Sequence, residues 1–596
     1  MPTSAELDAI VEGQTASNLF AATAARIPDR VALRWKDDDD TWGEWTFAQL
    51  ADLACRAAAG MAAAGVGHGD RVVLMVRNIP HFHVLDLAAT LCGATAVSIY
   101  NSSSTDQVTY LAGHCGASYG FVEDAGFFDR FDRSTLPALK TLGVIKPEGT
   151  EPDTTWDDLL AHDPVDLYEA AAIAQPEDLV TIIYTSGTTG PPKGVMLTHH
   201  NVTWTAESLR QAFAMDDLTG MRLVSYLPMA HIAERATSHY SMLAFGYEVT
   251  CCPDPGDIAS YLGEVRPQIM FGVPRVWEKI HSKVMAAITA DPEKGKQFND
   301  AIEAGGPIAL KVAWGEASKE EQETYAFLDE AAFSGVRQML GLDQLEVAIT
   351  GAAPIPPDLL TWYRAIGVPM SEIYGMSENT GPMCWAPYKV KPGTVGPAVP
   401  GLEVALAEDG EIICRGGLVF QGYLDQPDKT AEALDDDGWL HSGDIGELDD
   451  DGYFKVVDRK KELIITAGGK NISPANLEAE LKSIPLVGQA CAIGDKRPFV
   501  AALVVLDGDE APVWAERHGL GDLSLAELAE HPDVIAEIET GLTEAMAGFN
   551  NAEKVNNVKV LGEEWLPDSD MLTPTSKLKR RGIHSRFAEE IDAFYG

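Results

Sequence analysis

Between Ala48 and Asp124 the chain alternates helix and strand patterns at close intervals. QLADLACRAAAGMAAAG is an alanine-rich helix pattern, VGHGD a turn, and RVVLMV a short apolar strand. LDLAATLCGATAVSIY repeats helix then strand, and SYGFVED supplies a further strand. Strands separated by whole helices pair in parallel through crossovers rather than as hairpins. This specifies an α/β class with a largely parallel sheet. At 596 residues the chain exceeds what one hydrophobic core organises, so two or more cores are expected.

The pattern changes twice. From about 291 to 337 β-branched residues are few and Glu, Lys and Ala many, which reads as an inserted helical segment. It then returns to a strand-like LEVAITG, a helix and a strand-like SEIYG. Near Asp458 the character shifts again. DGYFKVVDRKKELIITAGGKNISP reads as a hairpin-like strand pair broken by Gly468 and Gly469, followed by about 120 residues with their own helices and strands. Composition places a boundary at 457–461. The expected organisation is a large N-terminal α/β unit over 1–458 and a small α+β unit over 462–596, joined at 459–461.

The formal net charge is −45, which sets the chain against nucleic acid and against anionic lipid. In such a body an anion site should stand out as a local basic cluster, as KLKRR at 577–581 does. Eight cysteines without a C-x-x-C pair make no disulfide framework, and the adjacent Cys251 and Cys252 are poor partners for each other. MPTSAELDAIVEGQ lacks a charged region followed by an apolar core, and the most apolar stretch, about 84–100, is broken by Asp86, Gly93 and Ser98. The expectation is a cytoplasmic protein, with contact at the inner face of a membrane no more than weak and peripheral.

YTSGTTGPPKG, from Tyr184 to Gly194, follows an apolar strand and is rich in Gly and Thr. It suggests a phosphate cradle. It is not a P-loop, where lysine and a hydroxyl residue directly follow the last glycine and a helix begins. Here Pro191 and Pro192 separate Gly190 from Lys193, and Gly194 follows, a poor first helical turn. Taken alone, such a segment is as readily a surface turn.

Five further segments follow it in order: LPMAHIAER (227–235), GAAPI (351–355), EIYGMSENTG (372–381), WLHSGDIG (439–446) with VVDRKKELIITAGGKNI (456–472), and LTPTSKLKR (572–580). Together they resemble the adenylate-forming superfamily of acyl-CoA synthetases, luciferases and peptide-synthetase adenylation domains. LPMAHIAER, MFGVPRVWEKI (270–280) and LTPTSKLKR are similar to its long-chain fatty acyl-CoA synthetase branch. The resemblance covers nearly the whole chain. It implies a long-chain fatty acid–CoA ligase that uses ATP, Mg²⁺ and CoA.

The chemistry fits that resemblance. A carboxylate does not react with a thiol because oxide is a hopeless leaving group; joining it to the α-phosphorus of ATP makes AMP the leaving group. No enzyme nucleophile is needed, only charge neutralisation and positioning.

The resemblance implies the following roles. Thr185, Ser186, Thr188 and Thr189 offer hydroxyls to the β- and γ-phosphates, Gly187 and Gly190 allow close backbone approach, and Lys193 supports them. Gly351, Ala352 and Ala353 wall the adenine and acyl sites. Tyr374 and Gly375 lie against adenine, Ser377 near the α-phosphate, and Glu378 binds Mg²⁺. Asp444 and Arg459 hold the ribose, and His231 stands at the carboxylate entry. Lys577 reaches the carboxylate and α-phosphate, with Lys579 the neighbour most easily confused with it. After the first step the small unit turns about Lys461, withdraws Lys577, and brings Gly468, Gly469 and Lys470 to the CoA channel.

Ser377 stands where relatives often carry threonine; the hydroxyl is kept. Taken singly, most of these residues have plainer readings: a Gly-Asp turn for Asp444, a helix-start carboxylate for Glu378, a structural imidazole for His231. GASYG (116–120) matches a hydrolase nucleophile elbow, but a helix-like LAGHC precedes and a strand-like FVED follows, the reverse of what that motif needs. The nearer alternatives are a fatty acyl-AMP ligase loading a carrier protein, and a CoA ligase for a medium-chain or aryl acid. Acyl length, oligomeric state and a role for the 291–337 segment are not legible.

Overall fold

The computed structural model describes residues 2–596 apart from 38, 186–190, 214, 216, 466–470, 552, 567–568 and 574–576. The N-terminal two-thirds is built on two eight-stranded, mostly parallel sheets. One runs, edge to edge, through Cys384–Trp385, Met370–Tyr374, Val347–Thr350, Ile269–Gly272, Arg222–Ser225, Glu248–Cys251, Val31–Lys36 and Trp42–Thr46. The other runs through Gly422–Tyr423, Lys193–Thr198, Leu179–Thr185, Thr95–Ser98, Arg71–Met75, Tyr119–Val122, Thr141–Val144 and Thr154–Thr155. Central strands such as Thr95–Ser98 and Val347–Thr350 are buried along their whole length, as strands covered by helices on both faces must be. The helix Phe47–Ala63, which leads from one sheet to the other, starts on a capping box: the Thr46 side chain accepts from the Gln49 N–H and the Gln49 side chain reaches back to the Thr46 N–H.

LPMAHIAER rivets the two sheets together. Arg235, fully buried, donates to Ser98 Oγ on the second sheet at 2.7 Å and pairs with Asp86 on the helix Pro80–Leu91. His239 donates to Asp86 Oδ1 from Nε2 (2.9 Å), which leaves its Nδ1 to accept from His83 Nδ1 (3.0 Å). One residue earlier, Glu234 accepts from Ser225 Oγ (2.7 Å) and the Leu227 N–H (3.3 Å), tying the helix start back to its own strand. A buried charge removed from either end of this network would leave its partner unpaired, which is the costly case.

Residues 291–337 lie within a longer helical run: Pro274–Thr289, Pro292–Trp314, Lys319–Leu328 and Ser334–Leu340. The expected hairpin around 452–474 resolves differently. Phe454–Arg459 pairs antiparallel with Leu440–Leu448 in a four-stranded sheet, with Asp444 opposite Arg459. Among the described residues, Ile464–Ile465 and Asn471–Ile472 pair across the glycine segment. The alternating burial of Leu440–Leu448 made it the better partner for the first strand.

The C-terminal part has its own three-stranded sheet, Val487–Ile493, Val500–Leu506 and Val555–Leu561. Its two faces bury alternate residues. Ala490, Ala502 and Val504 pack toward Leu477 and Ile538, while Cys491, Leu503 and Val505 pack toward Ile583 and Phe587. The architecture is thus a large α/β part followed by a small α+β part. All eight cysteines are free and buried. Among the described residues no helix is long and apolar enough to cross a membrane.

Candidate active site

A cleft of about 1510 Å³ lies where the large sheets, the four-stranded sheet and the C-terminal part meet. Of YTSGTTGPPKG, Thr185 and Lys193 line it, facing each other on an antiparallel strand pair; a strand, not a helix, begins at the lysine. The P-loop alternative is thereby excluded by geometry as well as by spacing. Tyr110 donates to the Pro192 carbonyl at 2.9 Å. Ser186, Gly187, Thr188, Thr189 and Gly190 lie outside the described residues. Lys193 lines the cleft, its ammonium 3.8 Å from the centre of the Tyr423 ring; burial pushes it below the usual lysine range.

The strand Met370–Tyr374 delivers Tyr374 to the cleft and ends in a tight turn, Ser377–Asn379. Gly375 is required there, since an added Cβ would fall 1.6 Å from the Gly381 carbonyl oxygen. The turn buries Ser377 and Glu378 at the cleft wall. Glu378 Oε1 accepts from the Tyr423 hydroxyl at 2.7 Å. Ala352 and Ala353 line the cleft, Ala352 with a left-handed φ of 69°. Gly351 stands behind them, its missing Cβ making room for Ile373.

Tyr374 donates to Asp444 Oδ2 at 2.6 Å, and Arg459 Nε meets Oδ1 at 3.0 Å. Burial nonetheless raises the Asp444 carboxyl, with Arg459 opposing. Asp444 is thus held by one neutral and one charged donor on the cleft wall. His231 caps the short helix Ile232–Glu234, its Nδ1 accepting from the Ala233 N–H at 3.1 Å. The neutral ring then carries its proton on Nε2. Burial, with Lys577 nearby, pushes the imidazole down to about 3, so it is neutral at physiological pH.

Lys577 comes from the C-terminal part. The carbonyl of Lys577 accepts from the Thr573 N–H at 2.8 Å and its N–H donates to Thr573 Oγ1 at 3.0 Å, closing a turn that projects into the cleft. Because the cleft is open its side chain keeps accessible surface. Enclosure and the nearby Arg459 push its ammonium below the lysine range, against the pull of Asp444, Glu378 and Glu462. Lys579, by contrast, is spent on the Ser569 carbonyl at 2.8 Å. Arg580 is clamped by Glu478 (2.8 Å at Nη2) and Glu462 (3.1 Å). Lys577, Lys579 and Arg580 all line the cleft, and of these three Lys577 is the one whose ammonium meets no hydrogen-bond or ion-pair partner among the described residues. Lys461 also lines it; Gly468, Gly469 and Lys470 lie outside the described residues.

One arm of the cleft is apolar, walled by Leu209, Phe213, Ala236, Tyr247, Phe271 and Trp385. Phe271 comes from the 270–280 segment and Ile349 from the strand Val347–Thr350 that precedes GAAPI; the contribution of the helix His199–Ala212 was not foreseen. Its signal was Leu209 and Phe213 at i and i+4. Glu372 was missed as well. It lies two residues before Tyr374, accepts from the Ile355 N–H, and burial pushes it up to about 8.

Arg275 and Lys279 on Pro274–Thr289 pair with Asp507 and Asp509 of the C-terminal part, the latter pair at 2.7 Å. Lys283 adds to the field on Asp509. These three cations at i, i+4 and i+8 form one stripe, and it meets an acidic loop in the orientation that presents Lys577.

The donor set suits a divalent cation held chiefly by its substrate. Among the described residues no group of three or more His, Cys, Asp and Glu side chains forms a metal cage. A cation here would have the Glu378 carboxylate, with its other oxygens from phosphate and water, which is how Mg²⁺ is commonly bound.

The family model for the AMP-binding enzyme matches residues 20–424, and that for the AMP-binding enzyme C-terminal domain matches 461–596. The chain is 34% identical over 574 residues to the long-chain-fatty-acid–CoA ligase FadD15 of Mycobacterium tuberculosis, covering 94% of this chain and 93% of that one. It is 33% identical over 619 residues to the long-chain-fatty-acid–CoA ligase ACSBG2 of Xenopus laevis, covering 98% and 84%. Its fold matches the adenylation domain of a carboxylate reductase from Mycobacterium chelonae with a TM-score of 0.76 at 20% identity, over 100% of this chain and 93% of that one.

Proposed function

Since this chain belongs to the AMP-binding enzyme family, we propose that it is an AMP-forming long-chain fatty acid–CoA ligase. In the first step a fatty carboxylate oxygen attacks the α-phosphorus of ATP and pyrophosphate leaves. In the second the CoA thiol attacks the acyl carbonyl, the acyl carbon–oxygen bond breaks, AMP leaves and the thiol proton is released.

One observation carries this reading: a single cleft joins a cationic and carboxylate-lined polar end to an apolar arm. Lys577, Lys193 and Arg459 supply positive charge where negative charge must gather, while Phe213, Phe271 and Trp385 offer an alkyl chain a surface to bury against. Asp444 would accept from the ribose hydroxyls, Tyr374 would flank the adenine and neutral His231 would donate from Nε2 toward the carboxylate. Glu378 would hold Mg²⁺, whose charge offsets that of the phosphates. The names of FadD15 and ACSBG2 support a long-chain acid as substrate.

The second step needs contacts that the first does not, because a thiol must approach the acyl carbon beside which the first step needs the Lys577 ammonium. The reading therefore includes a rotation of the C-terminal part about Lys461, with Gly468, Gly469 and Lys470 forming the thiol channel in the rotated state. The boundary between 458 and 462 belongs to the same proposal, and the join between the two matched family models at 424 and 461 is compatible with it.

The test is product analysis by mass spectrometry with Mg-ATP, CoA and saturated acids of graded length. Palmitoyl-CoA with AMP and pyrophosphate supports the proposal. Acyl-AMP without thioester would point to a carrier-protein ligase, and turnover confined to short or aryl acids would overturn the long-chain assignment.

A further inference from the structure

We propose that Tyr423 is a positioning residue that couples the two ends of the phosphate site, holding Lys193 with its ring and Glu378 with its hydroxyl. The proposal rests on the reading of Glu378 as the cation ligand.

Tyr423 is 5% exposed and is fixed by the backbone on both sides. The strand Gly422–Tyr423 pairs with the strand that begins at Lys193, placing Tyr423 opposite Val195. The Leu424 N–H donates to the Gly194 carbonyl and the Gln421 N–H to Met196. At the other end the Phe420 N–H donates to the Glu378 carbonyl at 2.8 Å. The Tyr423 N–H donates to Thr430 Oγ1 at 2.9 Å, and the Phe420 ring meets its ring edge-on at 4.9 Å. One five-residue segment is therefore bonded both to the strand of the lysine and to the turn of the carboxylate.

The side chain repeats that connection in a way that consumes neither charge. A half-buried ammonium needs a partner, and an acidic one would neutralise it. The face of the ring stabilises Lys193 at 3.8 Å and leaves its N–H donors for anionic oxygens. The hydroxyl occupies Oε1 of Glu378 at 2.7 Å, fixing the carboxylate rotamer. Among the described residues no hydrogen-bond donor meets Oε2. A single oriented oxygen is what a six-coordinate Mg²⁺ takes from such a site, and an outer hydrogen bond of this kind both aims and tunes a ligand.

The two functions separate by substitution. Tyr423→Phe keeps the ring and loses the hydroxyl; Tyr423→Leu loses both. We would measure Mn²⁺ binding by electron paramagnetic resonance in the ATP complex, and ATP binding in EDTA by calorimetry, for wild type, both variants and Glu378→Gln. Outer-shell losses of this kind weaken metal binding by roughly 10- to 100-fold, which is the expectation for Tyr423→Phe, with metal-free ATP binding unchanged. Tyr423→Leu should in addition lose roughly tenfold in metal-free ATP binding, since the ring under the lysine is gone. Wild-type Mn²⁺ binding in Glu378→Gln would remove the premise about Glu378. A metal defect in Glu378→Gln with none in Tyr423→Phe would overturn the proposal and leave that premise standing. Equal loss of metal and metal-free ATP binding in Tyr423→Phe, or a collapsed melting temperature in place of a selective defect, would show a merely structural tyrosine and also overturn it.

Discussion

Asp444 and Arg459 face each other across neighbouring antiparallel strands, Oδ1 to Nε at 3.0 Å, with the second carboxylate oxygen held by Tyr374. Both partners line the cleft, so the pair presents an aimed acceptor to whatever carries hydroxyls there. Hydrogen bonds to charged groups contribute about 1.5–3 kcal/mol. Asp444→Asn should therefore lower kcat/KM for ATP by roughly 10- to 100-fold. The discriminating control is 2′-deoxy-ATP, for which the variant should lose less; an equal loss with both nucleotides would remove the ribose role.

Lys577 reaches the cleft from the C-terminal part. Loss of a preorganised charge at a reacting centre costs about 100-fold or more. Lys577→Ala should slow acyl-AMP formation by at least that factor while leaving the reaction of CoA with supplied acyl-AMP intact. Lys579→Ala, whose native contact is the Ser569 carbonyl, should spare both. Equal damage to the two half-reactions by Lys577→Ala contradicts its assignment to the first.

The pairs Arg275–Asp507 and Lys279–Asp509 favour the orientation that presents Lys577. The second pair is substantially exposed, so its share is of the order of 1 kcal/mol or less. Lys279→Glu should slow adenylation several-fold, relative to thioester formation from supplied acyl-AMP, and the effect should shrink as salt is raised. The double variant Lys279→Glu with Asp509→Lys should recover most of the loss. No recovery would mean that the helix face, not the ion pair, matters.

Glu234 gives the fold a pH dependence of known sign. Burial pushes its carboxyl up to about 7, against its hydrogen bonds from Ser225, Ser238 and the Leu227 N–H. The native state then holds a proton that the unfolded chain, near 4.5, has released. The associated stability is complete below about 4.5 and is lost as pH rises through 7, amounting to about 3 kcal/mol over that window. Wild type should therefore lose stability relative to Glu234→Gln between pH 5 and 8 in denaturant titrations. A constant difference across that range would contradict the shifted carboxyl.

The α/β class was legible because helix and strand alternate at intervals that only parallel crossovers satisfy. The cleft was legible through short polar motifs whose residues come from distant strands yet converge; every described candidate lines it except Gly351, which stands one layer behind. What escaped depends on pairing in space. Tyr423 carries no motif of its own, and its importance comes from lying beside the Lys193 strand. Phe454–Arg459 looked like half of a glycine hairpin because sequence proximity suggested it, whereas the partner with the matching alternation was Leu440–Leu448. The Arg275–Asp507 contact joins residues over two hundred positions apart, and no local pattern announces it.

The most direct measurement of the acyl-adenylate route uses palmitate carrying ¹⁸O in both carboxyl oxygens, with Mg-ATP and CoA. If the carboxylate attacks the α-phosphorus and the thiol later breaks the acyl carbon–oxygen bond, each AMP released carries one ¹⁸O and each palmitoyl-CoA retains one. AMP without label, or thioester formed with ADP and phosphate as products, would contradict the account.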